Sequence, residues 1–309
     1  GFFMLSGFVL QYHYRETDFS DKNNLKKFYR KRFFCIYPAY FVFLMIIFSF
    51  RLSFPDTLPK VFAILGCEFF CLQTFFPTTF NICGNGGTWF ISVMVFLYFL
   101  FPLISIILKK IVVHKKYCFI VGFAICYFLS VYHGLMQFLF GGSMASYYTN
   151  FLIRLPEFVI GMLLAEWFLK RKEKERWCNC FIVSIATIFF IVAVNQYFEI
   201  LKGNYTQYNF IVVPYIGILI LFMTQFNFKS RTTWGGKLVQ WASSLQYSFY
   251  LTQTLANRIV TLGIKNGIIK EKNFFLIFLF SFILNICFAV MMNLMIEKPT
   301  KKYMLQRIG

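Results

Sequence analysis

Apolar blocks recur along the whole chain, each about twenty residues long, the length that carries a helix across roughly 30 Å of hydrocarbon. Short segments separate them, and Lys and Arg concentrate in some of these and are scarce in the others. In lipid every backbone polar group has to be satisfied within the segment or within a closed barrel. Blocks this long, without strand-like alternation, predict an all-α fold: a polytopic transmembrane helical bundle. Composition agrees, with 59% hydrophobic, 22% aromatic and only 14% charged residues in 309. A soluble domain carries about a quarter charged residues. A net charge of +19 in a soluble chain would suggest a nucleic-acid partner. Here the cations lie between apolar blocks, where they act as topology signals, and the expected partner is the lipid bilayer, with no nucleic acid.

The predicted spans are 1–12, 33–50, 88–108, 117–133, 151–169, 180–198, 208–226, 241–262 and 274–296. A further apolar stretch, 61–76, contains Glu68 and lies between Pro59 and Pro77, so it reads as a re-entrant or interfacial segment. Loop charge supports that choice. With 61–76 not crossing, one side receives 23 of the 31 Lys and Arg residues and the other side six. The positive-inside rule then puts the rich side, including the tail 297–309, in the cytoplasm. Gly1 already stands inside an apolar run, so a further, tenth span is expected upstream of it. All loops are short, and residues 1–309 read as a single membrane domain. The nine cysteines are scattered, and neither Cys67 with Cys71 nor Cys178 with Cys180 has a partner pair of metal-ligand type. They read as structural thiols, and no metal is expected.

Four landmarks, in order, resemble the acyltransferase type 3 family of integral membrane acyltransferases. The first is Phe2-Phe3-Met4-Leu5-Ser6-Gly7-Phe8. The second is Phe28-Tyr29-Arg30-Lys31-Arg32 leading into Ile36-Tyr37-Pro38. The third is Thr88-Trp89-Phe90-Ile91-Ser92-Val93, opening a span that runs through Tyr98 to Pro102. The fourth is Ser244 to Gln253, reading S-L-Q-Y-S-F-Y-L-T-Q. Arg154 to Phe158 with Gly161 to Leu163, and Glu297-Lys298-Pro299, are weaker matches. The resemblance implies ten spans and transfer of an acyl group, most often acetyl, from acyl-CoA as cosubstrate to a hydroxyl of an envelope polysaccharide or lipid-linked glycan. It further implies a bacterial inner membrane setting, no bound cofactor, and a catalytic Arg and His on the span expected upstream. Cys35, Met94 and Gln253 stand where the family pattern carries an Arg, an acid and a His. A non-catalytic relative, acting as a transporter or an assembly partner in glycan export, is therefore the alternative reading.

Each candidate residue has a plain reading beside the functional one. Ser6-Gly7 is a small-residue notch for close helix packing, or, by the resemblance, the wall of a cavity. Arg30, Lys31 and Arg32 set topology and meet anionic lipid, or contact the phosphates of the acyl-CoA donor through charge-assisted bonds. Tyr37 with Pro38 fixes how the helix enters the bilayer, or Tyr37 joins the donor-binding residues. Arg154 and Glu157 share a helix face as an ion pair, or line an acceptor site. Trp89 belongs to the aromatic belt, or stacks on a sugar. Tyr250 and Gln253 make interhelical hydrogen bonds, or face the acceptor. Glu166, His13 and His114 are expected to be solvated.

Overall fold

The computed structural model describes residues 1–51, 58–76, 88–111, 116–140, 149–170, 205–224, 234–269 and 273–308. The expected span 180–198, the outer loop 77–87 and His114 lie outside the described residues. Among those described, the regular elements are all helical. We number them α1 (Phe2–His13), α2 (Lys22–Arg51), α3 (Leu58–Phe69), α4 (Thr88–Ile111), α5 (Lys116–Phe140), α6 (Phe151–Lys170), α7 (Tyr205–Met223), α8 (Trp234–Lys265), α9 (Phe274–Met292) and α10 (Lys298–Ile308). A π-turn, Asn293–Glu297, joins α9 to α10. Three stretches among the described residues are both long and apolar enough to span a membrane: Lys22–Ser49, Thr88–Lys110 and Phe274–Met304. This is a membrane protein.

Several helices are longer than the apolar blocks that announced them. The segment 13–32, expected to be a loop, is half helix, since α2 already begins at Lys22. Asp21 starts it, its carboxylate accepting from the Asn23 amide at 3.0 Å, and Lys and Arg are good helix formers. α8 likewise begins at Trp234 rather than near 241, and α5 runs on through 140. In the stretch 61–76 the opposite happens. α3 stops at Phe69, only 12 residues long, which is about 18 Å and too short to cross.

The chain forms two compact units, Gly1–Phe19 with Leu100–Asn227, and Ser20–Phe99 with Phe228–Gly309. In the first, α1 packs along α6, and α5 and α7 close the group. Its core is Met4 and Phe8 against Ile160, Leu164 and Ala165, with Val213 and Ile220 from α7. In the second, α8 pairs with α9, and α2 packs on α3, α8 and α10. Tyr40, Phe43, Leu44 and Ile47 of α2 meet Ile91, Leu251, Leu255 and Met292 there.

Candidate functional site

The basic end of α2 is fixed against α4 in the second unit. Tyr29 donates from its hydroxyl to the Phe99 carbonyl at 2.9 Å, and the two rings stack with centroids 6.0 Å apart. One turn on, the Arg32 guanidinium lies 5.5 Å from the Phe28 ring centroid and 5.4 Å from that of Tyr98. Both distances suit a cation–π contact. Arg30 is exposed, while Lys31 and Arg32 are half-buried. Tyr37 stacks on Phe33 at 4.9 Å and donates to the Phe69 carbonyl at 3.1 Å. Its hydroxyl thus binds the end of α3, beyond the helix-entry role its sequence position implied.

Further along α2 a buried polar seam holds the turn that follows α3. Tyr40 donates to the Glu68 carbonyl at 2.7 Å and accepts from the Gln73 amide at 2.8 Å. Ser92 of α4 donates to the Cys71 carbonyl and lies 3.1 Å from the Thr74 hydroxyl. Cys71 adopts φ of 55°, a left-handed conformation unusual for a residue with a side chain. The seam satisfies irregular backbone with protein groups, the condition under which such backbone is tolerated at membrane depth.

On α8, Tyr250 packs its ring 4.9 Å from Phe90, and Trp89 meets Phe90 edge-on at 6.1 Å. Trp89, Tyr250 and Gln253 are all half-buried. Beside them Ser248 donates to the Glu297 carboxylate on the π-turn, and Lys301 pairs with the other carboxylate oxygen at 2.9 Å. Asn293 donates to the Ser244 carbonyl, and Thr252 to the Asn285 side chain.

In the first unit the polar groups line the seam between α1 and α6. Gly7 and Gly161 let the two backbones touch. A Cβ on Gly7 would stand 2.1 Å from the Phe158 carbonyl oxygen, and one on Gly161 1.9 Å from that of Met4. Ser6 beside Gly7 is half-buried. Toward one end of the seam Arg154 and Glu157 form their ion pair at 2.5 Å, both buried, with the guanidinium 5.8 Å from the Phe3 ring. At the other end Glu166 is fully buried, contrary to its expected solvation. It accepts from the Gln11 amide at 2.7 Å, and Arg15 stands 3.9 Å from its second oxygen. His13 is exposed, as expected.

A family model described as an acyltransferase domain matches residues 1–294. The chain belongs to the acyltransferase type 3 family. Acyltransferase MdmB of Streptomyces mycarofaciens is 34% identical over 128 residues, a match covering 40% of this chain and 32% of that protein. No solved structure matches the chain.

Two of the acyltransferase landmarks turn out to touch. The Ser244–Gln253 element meets the Glu297-Lys298-Pro299 element through Ser248 and Glu297, 49 residues apart. That contact was missed from the sequence because no local spacing encodes it. Gln11 with Glu166, 155 residues apart, was missed for the same reason. Met94, at the position of the family's acid, is a buried core residue.

Proposed function

We propose that the chain is the membrane domain of an O-acyltransferase, moving an acyl group, acetyl in the simplest case, from acyl-CoA to a hydroxyl of an envelope polysaccharide or lipid-linked sugar. The observation that carries this reading is the family match across residues 1–294, together with a cationic helix end in which Arg32 is held in place. In this reading Arg30, Lys31, Arg32 and Tyr37 receive the donor, with guanidinium groups pairing to its phosphates. Trp89, Tyr250 and Gln253 in one unit, and Ser6, Gly7, Arg154 and Glu157 in the other, serve the acceptor side. The acceptor oxygen bonds to the thioester carbonyl carbon, its proton passes to a general base, the C–S bond breaks, and coenzyme A leaves as the thiol. The protein works in the bacterial inner membrane with its C-terminus in the cytoplasm, where acyl-CoA is available.

The test uses the full-length protein in inside-out membrane vesicles supplied with acetyl-CoA labelled on the acetyl group. Label entering lipid-linked glycan, with Arg32→Ala raising the KM for acetyl-CoA about tenfold, as expected for loss of a charge-assisted phosphate contact, is the expected result. Folded protein that moves no acyl group from any acyl-CoA supplied would overturn the reading. The buried Met94 at the acid position favours a second one, a non-catalytic relative in glycan export. That protein would give no label, yet its deletion would still block export.

A further inference from the structure

The point along α4 at which Arg32 meets it is not what a topology signal requires. Its ring partner Tyr98 lies eleven residues before Lys109 on the same helix, about 16 Å along the axis. The ten residues between them, 99–108, carry no charged side chain. Arg32 therefore sits against the apolar middle of α4, not at its basic end. Tyr29 on Phe99 fixes the same register independently, through a hydrogen bond and a stacked ring. A half-buried guanidinium placed over a ring on an apolar helix face is a specific contact that loop charge alone does not call for.

We infer that Tyr98, with Phe28 beside it, is a positioning residue for the donor-binding Arg32. This rests on the donor reading given above. An aromatic ring takes up the face of a guanidinium, whereas hydrogen bonds to phosphate leave from its edge. Stacking and phosphate pairing are therefore compatible, and the rings hold a long, many-rotamer side chain in one plane before the donor arrives. Phe28 is 2% exposed, so that ring cannot swing away. The ring of Tyr98, rather than its hydroxyl, is the working part.

The experiment measures KM for acetyl-CoA and kcat in full-length protein, and binding of coenzyme A alone by calorimetry, for four variants. Arg32→Ala, which removes the phosphate contact, and Tyr98→Leu, which leaves the guanidinium unplaced for it, should each raise KM and weaken coenzyme A binding about tenfold. The kcat should stay within about twofold for both, since the contact acts in binding. Tyr98→Phe should behave as wild type. Arg32→Ala with Tyr98→Leu should be no worse than Arg32→Ala alone, because the two act as one unit. Phe28→Leu, reading the second ring, replaces Tyr98→Leu if that variant fails to fold. If Arg32→Ala raises KM but the ring variants do not, or if the effects add, the positioning inference falls and the donor reading stands. If Arg32→Ala leaves KM and coenzyme A binding unchanged, the donor reading falls and takes the inference with it.

Discussion

Glu166 shows how a buried charge is kept in place when lipid offers no solvent. Its side chain has no exposed surface to speak of, and its partners are the Gln11 amide and, at longer range, Arg15. Removing one partner strands the other, which costs more than removing both. We expect Glu166→Leu to lower the unfolding free energy by about 1–3 kcal/mol, because the Gln11 amide stays buried without an acceptor. Gln11→Leu combined with Glu166→Leu should return most of that loss, since two apolar side chains then pack together. Thermal unfolding in detergent micelles measures both, and losses that simply add would refute the coupling. Arg154 with Glu157 was legible in advance, because three residues along a helix bring two side chains to one face. Gln11 with Glu166 was not, because only the pairing of α1 with α6 brings them together, and nothing near Glu166 in sequence announces it.

Among the elements, the crossing of α1 over α6 is the tightest contact described. Gly7 and Gly161 each face a carbonyl oxygen of the opposite helix where a Cβ would be. Backbone cannot swing aside as a flexible side chain would. Gly161→Ala and Gly7→Ala should therefore each destabilise by about 1–3 kcal/mol through overpacking, despite the better helix propensity of alanine. Gly66, in α3, supplies the control, since a Cβ there meets nothing within 4 Å. Gly66→Ala should stabilise by about 0.5–1 kcal/mol, the propensity gain alone. If all three substitutions shift the melting temperature alike, the close crossing is not what the glycines serve. The sequence pattern carried the notch at Ser6-Gly7, and Gly161 stood inside a weaker landmark, but pairing them needed the fold. Helix ends were the least legible feature. Hydropathy marks where lipid begins, whereas helix ends follow caps and propensity, so Asp21 could start α2 well before the apolar residues of the span.

For the whole molecule, the direction of α1 against α6 bears on how the chain threads the bilayer. Phe3 lies by Arg154, Gly7 by Phe158, and Gln11 by Glu166, so the two helices run parallel. If α2, α4 and α5 each cross once, three crossings separate α1 from α6, and the two point the same way. A crossing by 58–76 would make four and reverse α6. The short α3 and the polar seam that holds the turn after it agree with this parity, and so does the loop charge, which is independent of any packing. Alkaline phosphatase fused after residue 82 should therefore be active, being outside, and fused after residue 309 it should be silent, being in the cytoplasm. A cytoplasmic reporter at 82 would make 58–76 a true span. The loop-charge asymmetry would then collapse, and the acceptor-side residues Trp89 and Tyr250 would face the donor compartment. That outcome would undo the division of labour proposed for the two sides of the membrane, whatever the fate of Arg32.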